Sequence, residues 1–198
     1  MARKGPGNLA RSSSGEGLIP RELIHRTFMP SKIFSVSANG DTKIGVMARP
    51  RGGDWLRDEI RAISEDGYSV VVSLLTDAEE IELELVDEGR HCEELGVKFV
   101  RLPIEDMRVP PLDGPTLEVL DALRQLHFAG NWIAVHCRAG IGRSPMIAAC
   151  VMVSARCGVH SAFIQLSEAR GIRVPETPEQ REWAISYENL LRGEKKLS

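Results

Sequence analysis

His136-Cys137-Arg138-Ala139-Gly140-Ile141-Gly142-Arg143-Ser144 stands between two apolar runs, Trp132-Ile133-Ala134-Val135 before it and Met146 through Val153 after it. The first run is the length of a buried strand and the second reads as a buried helix. A strand that enters a tight loop and then a helix N-terminus gathers backbone N–H groups around one point, where an anion is held. Gly140 and Gly142 let the backbone close around that point without a Cβ in the way. A cysteine at the mouth of such a loop is favoured as the thiolate near neutral pH. A thiolate facing a phosphate cradle is placed for nucleophilic attack on phosphorus. A buried structural thiol would account for Cys137 alone, and would leave Gly140, Gly142, Arg143 and Ser144 without a purpose.

Outward from this stretch the chain alternates strands and helices. Residues 33–36 and 44–47 are strand candidates joined through Asn39-Gly40, a dipeptide that favours a hairpin turn. Apolar residues recur at helical spacing over 54–63, and Asp66-Gly67 ends that helix. Residues 70–75 form a continuous apolar run, as expected of a central strand covered on both faces. Asp77 is expected to cap one acidic helix reaching to about Leu95, where Gly96 stops it. Residues 97–100 return as a strand. A loop with Pro103, Pro110 and Pro111 then leads to a helix over 115–127. Beyond the opening stretch, helices are expected over 161–169 and 178–191. The fold class is therefore α/β, a layered domain with a central, mainly parallel sheet flanked by helices. In such sheets ligands sit at the carboxyl ends of the strands, which is where Cys137 falls.

At 198 residues the chain is long enough for one substantial core. Residues 1–18 are rich in Gly, Ser, Arg and Lys and read as a flexible arm, leaving 19–198 as the folded domain. The net charge of −3 gives no global pull toward nucleic acid or anionic lipid, so DNA binding is not expected. The basic N-terminus lacks an apolar stretch behind it, and no run approaches the length of a membrane span. Cys92, Cys137, Cys150 and Cys157 have neither zinc-site spacing nor disulfide-framework density, which fits reduced thiols in a cytoplasmic protein.

The pattern His-Cys-x-x-Gly-x-x-Arg-Ser resembles the signature of the cysteine-dependent protein tyrosine phosphatases. Residues 53–56, 71–75 and 175–180 are similar to the compact dual-specificity group of that superfamily. The resemblance implies a phosphoprotein phosphatase that needs no metal and no cofactor and works through a phosphocysteine intermediate. Cys137 would be the nucleophile, and Arg143 a planar fork for two phosphate oxygens. The N–H groups of Arg138, Ala139, Gly140, Ile141, Gly142 and Arg143 would complete the phosphate cage. Ser144 would donate to the Cys137 sulfur, and His136 would support the loop rather than act as a base. Leu102 through Pro111 is similar to the family's acid loop, which puts Asp106 at the general-acid position with Glu105 as its neighbouring rival. Gln180 matches a glutamine that orients water in the second step; Glu176 stands where the family often has another glutamine.

The substrate is less defined than the chemistry. Arg49, Arg51, Arg108 and Arg138 could form a basic rim, and Arg138 lies within the loop itself. Phosphoinositide phosphatases commonly carry a basic residue at the position of Ile141 as well. No segment matches the one that deepens the pocket of tyrosine-specific phosphatases, so a shallow site for phosphotyrosine and phosphoserine or phosphothreonine is expected. The rival readings are a phosphatase for a phosphoinositide, an inositol phosphate or an RNA 5′-phosphate, and a phosphate-binding module without turnover. The oligomeric state is not legible.

Overall fold

Side-chain alternation along five strands sorts the core of this computed structural model into two layers. The structure describes residues 1, 29–37, 43–154 and 157–193. The N-terminal arm beyond Met1, its boundary with the domain and the Asn39-Gly40 turn lie outside the described residues. The order of elements is β1 (Phe34–Ser37), β2 (Lys43–Ala48), α1 (Leu56–Glu65), β3 (Val70–Ser73), α2 (Asp77–Glu82), α3 (Glu88–Glu94) and β4 (Lys98–Arg101). Then follow α4 (Gly114–Phe128), β5 (Ile133–Cys137), α5 (Arg143–Met152), α6 (Val159–Arg170) and α7 (Pro178–Leu191). The sheet runs β1-β2-β5-β3-β4, with β1 antiparallel to β2 and every other pairing parallel. This is the expected α/β architecture, with β5 at the centre.

On one face Ile44, Val46, Val70, Val72, Ile133, Val135 and Cys137 join a large core filled by α4, α5, α6 and α7. On the other, Met47, Val71 and Ala134 meet Leu56, Ile60 and Ile63 of α1 and Cys92 of α3. The period of two that sends Val135 and Cys137 one way sends Ala134 and His136 the other. All ten residues of α5 are buried. Each large apolar side chain so buried stabilises the fold by roughly 1.5–3 kcal/mol. The helix that begins inside the opening stretch is thus buried along its whole length, and it anchors the loop before it.

Two expectations are corrected. The acidic helix of residues 77–95 is two helices, because the chain turns between Leu83 and Asp87. Leu85 is buried there in the second core, Glu84 takes a positive φ of 57°, and its carbonyl accepts the Gly53 N–H. The cap of α2 is Thr76 rather than Asp77. Its hydroxyl accepts the Glu79 N–H while the Glu79 carboxylate accepts the Thr76 N–H, a reciprocal capping box. Among the described residues no helix is long and apolar enough to cross a membrane.

Candidate active site

Cys137 ends β5 in register with Ala48 of β2, at the carboxyl end of the sheet. Its sulfur accepts the Gly140 N–H at 3.3 Å and lies 3.1 Å from the Ser144 hydroxyl. Gly140 sits at φ 72°, and a Cβ there would stand 2.5 Å from the Met47 carbonyl carbon. A Cβ on Gly142 would stand 3.0 Å from both amide atoms of Gln180 and 3.2 Å from Glu176 Oε2. The loop is therefore pressed between β2 and the start of α7: at Gly140 backbone excludes any Cβ, and at Gly142 one would crowd the ends of two side chains. Gly142 begins α5 without a side-chain cap, which leaves first-turn N–H groups to meet an anion.

Arg143 is the largest fully buried side chain, and its partners fix which edge of the guanidinium faces the loop. Nη1 donates to the Ile104 carbonyl at 2.7 Å and to Glu79 Oε2 at 2.8 Å. Nη2 donates to Glu79 Oε1 at 2.9 Å and lies 2.8 Å from Asp106 Oδ1. Nε, though buried, donates to no described group. Glu79 thus occupies the Nη1–Nη2 edge as a bidentate carboxylate and Asp106 takes the remaining reach of Nη2, so that Nε is the guanidinium N–H left for an oxyanion. Burial opposes the Arg143 charge, and Glu79, Cys137 and Asp106 together more than restore it. Burial alone would raise the Glu79 carboxyl, but the bonds from Arg143 and Thr76 bring it down to about 2.

The structure brings Asp106 to Arg143, while Glu105, beside it, is exposed and makes no ion pair among the described residues. His136 lies on the other face of β5, its Nε2 3.0 Å from Glu88 Oε1 and both side chains 1% exposed. That separation suits a supporting role for His136. Gln180 is buried: its Oε1 accepts the Thr177 N–H, and its Nε2 has no described partner. The Arg138 side chain turns outward to Glu79 and Glu82 of α2, and Ile141 packs partly buried against the larger core. Ala139 is exposed at the tip of the loop. Of the other rim arginines, Arg51 pairs with Glu59, and Arg108 lines a cleft beside the acid loop. Burial and the charge of Glu88 push the Cys92 thiol up to about 12, and burial raises that of Cys150 further. Neither is suited to nucleophilic chemistry.

Two participants were not read from the sequence. Glu79 was passed over as one acid among many, although Thr76-x-x-Glu79 is a capping-box signal that marks it as fixed. Arg170 donates from Nε to the Gly140 carbonyl at 3.2 Å and from Nη2 to the Ala139 carbonyl at 3.1 Å, with its guanidinium 4.1 Å from the Phe34 ring centre. By holding those carbonyls outward it helps keep the loop's N–H groups turned in. No local pattern announces that contact.

A buried arginine fork and a thiol on one strand-to-helix anion loop, with a carboxylate reaching in from a second loop, define the cysteine-dependent phosphatases. The family model described as "Polymorphic toxin system, DSP-PTPase phosphatase" matches residues 45–156, more than half of the chain, and the chain belongs to that family. Its fold is that of a kinase-associated phosphatase solved with its catalytic cysteine changed to serine (TM-score 0.72, 19% identity, 83% of this chain and 97% of that one). A mutant form of Tk-PTP is also similar (0.60, 24%, 80% and 96%). So is PTPMT1 in complex with PI(5)P (0.59, 20%, 76% and 92%). No curated protein sequence matches the chain. The protein is a cysteine-dependent phosphatase of the dual-specificity group.

Proposed function

We propose that this phosphatase hydrolyses phosphotyrosine, and phosphoserine or phosphothreonine, on proteins through a phosphocysteine intermediate and without a metal ion. The observation that carries the reading is the buried Arg143 guanidinium, with Nε unpartnered and Nη2 2.8 Å from Asp106 Oδ1, at the start of the helix that follows the Cys137 loop. In the first step the Cys137 thiolate attacks phosphorus, the S–P bond forms and the P–O ester bond breaks. Asp106 gives its proton to the leaving oxygen. The loop N–H groups and Arg143 hold the equatorial oxygens as charge develops. Ser144, 3.1 Å from the sulfur, stabilises the thiolate both as it attacks and as it departs.

In the second step water attacks the phosphocysteine, Asp106 takes a proton from it, and the S–P bond breaks to release phosphate. Gln180, with its Nε2 unpartnered beside Gly142, is placed to orient that water, with Glu176 close by. The likeness to PTPMT1, solved with PI(5)P, supports a phosphoinositide as the second reading. Against it, Arg138 is engaged by Glu79 and Glu82, and Ile141 brings no charge to the loop. Purified protein with a chelator should release phenolate from para-nitrophenyl phosphate, and Cys137→Ser should abolish turnover while still binding phosphate. Activity near wild type in Cys137→Ser would overturn the mechanism, and an inactive wild type the enzymatic reading.

A further inference from the structure

The two flanks of the signature loop differ in charge. On the β3 flank lies α2, where Arg101 is paired with Asp77 and Glu80, and Arg138 with Glu79 and Glu82. Both of these arginines are compensated, and α2 itself carries four carboxylates and no cation. On the β1–β2 flank, where α6 packs against β1 and α7 begins, Arg173 is exposed and makes no ion pair among the described residues. Arg181 has no acidic partner either: it donates to the Val174 carbonyl at 2.9 Å, and its guanidinium sits 4.7 Å from the Phe163 ring centre. Partial burial and the nearby charge of Arg173 both work against the Arg181 cation. Two like charges held together without a counter-charge mark a place where an anion gains from both.

Both arginines line one open cleft of about 410 Å³, with Pro175, Glu176, Thr177 and Pro178. They also line a shallower one of about 270 Å³ that continues over Phe163 and Ile164. The first cleft adjoins the signature loop, because the Glu176 carboxylate reaches the edge of Gly142. Glu176 stands toward the loop and Glu168 along the shallower cleft, so the favourable seat for an anion is between the two guanidiniums.

We propose that Arg173 and Arg181 form a second anion subsite, which takes a carboxylate or a further phosphate of a phosphopeptide whose reacting phosphate lies in the signature loop. The inference rests on the phosphatase reading above and adds a substrate polarity to it: acidic toward α7, neutral or basic toward α2. A cleft continued by an apolar shelf suits an extended peptide. An anionic bilayer would instead meet Asp77 and Glu82, whose side chains are 83% and 60% exposed on the other flank.

The test is kcat/KM on phosphotyrosine peptides with neutral flanks, with aspartate on either side, or with a second phosphoserine, alongside phosphatidylinositol phosphate in phosphatidylcholine vesicles. The wild type should favour acid on one side by about tenfold, and Arg173→Glu should bring that ratio to about one. Arg181→Met, which keeps a stem over Phe163, should reduce it in the same direction. Because the readout is a ratio within each protein, a general loss of activity does not alter it. No preference in the wild type, or a preference untouched by Arg173→Glu, overturns the subsite. So does a vesicle substrate turned over faster than every peptide, with that advantage lost in Arg173→Glu. If no phosphoester were turned over, the underlying reading would fall. The same ratio taken from peptide affinities of Cys137→Ser would then still decide the subsite.

Discussion

Changing Glu79 to glutamine removes one charge and almost no volume. Thr-x-x-Gln closes the same capping box as Thr-x-x-Glu, so α2 keeps its start. What disappears is the bidentate counter-charge of Arg143, a side chain only 1% exposed. Breaking a buried pair by removing one partner costs roughly 3–5 kcal/mol. Asp106 and the carbonyls of Leu74 and Ile104 still hold the guanidinium, so the loss here should be nearer 2–3 kcal/mol. The acid limb of stability offers an independent route to the same quantity. The Glu79 carboxyl sits at about 2 against an ordinary 4.5, which at about 1.4 kcal/mol per pH unit is on the order of 3 kcal/mol. Since the folded-state value is the lower one, this stabilisation is fully present above pH 4.5 and drains away as pH falls toward 2. Urea unfolding followed by tryptophan fluorescence at pH 7, 4.5 and 3 measures both. The gap between wild type and Glu79→Gln should be widest at pH 7 and shrink at pH 3. kcat/KM for para-nitrophenyl phosphate should fall about 10- to 100-fold as the fork loses its orientation. Parallel stability curves across that range, or a gap at pH 7 below about 0.5 kcal/mol, would refute the argument that Glu79 neutralises Arg143.

Gly140→Ala and Gly171→Ala form a matched pair, because both glycines take φ near 70° but only Gly140 has backbone within 3 Å of the new Cβ. Gly171→Ala should cost about 1 kcal/mol and keep activity, while Gly140→Ala should cost on the order of 2–4 kcal/mol and lose most of it, as read by thermal melts and initial rates. Asp106→Ala should slow alkyl phosphates far more than aryl phosphates with good leaving groups; equal losses would pass the acid role to Glu105 or another group. Arg170→Met keeps apolar contact with Phe34 but releases the carbonyls of Ala139 and Gly140. It should lower kcat/KM about tenfold or more with a stability change under about 1 kcal/mol, and an unaltered rate would mean the loop holds its shape unaided.

What could be read from the sequence was contiguous. The apolar run before Cys137 and the apolar helix after it carry their own periodicity, so the central strand, the loop and α5 were legible at once. Asp106 was reachable through the resemblance of its loop. Glu79 was not, because its partner lies 64 residues away and only the tertiary fold brings them together. The break between α2 and α3 was hidden for a similar reason: the acidic run satisfies helix propensity throughout. Burial of Leu85 and the bond from Gly53 to Glu84 then override that propensity from outside the segment. The pairing of Arg138 with α2 changed the meaning of a residue whose position was already evident.

The acid loop is less free than its prolines suggest. The Leu102 N–H donates to the Ser73 carbonyl and the Ile104 N–H to that of Leu74, so the β3–β4 ladder continues past the end of both strands. The Ile104 carbonyl then receives Arg143 itself. Beyond that anchor, a turn closed by the Arg108 N–H on the Glu105 carbonyl carries Asp106 and Met107, the latter at φ 61°. The part left outside that ladder is therefore four residues, a size that rearranges in nanoseconds to microseconds, while enzymes commonly turn over at about ten per second. Any rearrangement of so short a turn is too fast to time the catalytic cycle, and thickening the solvent with sucrose or glycerol should leave kcat governed by bond making and breaking.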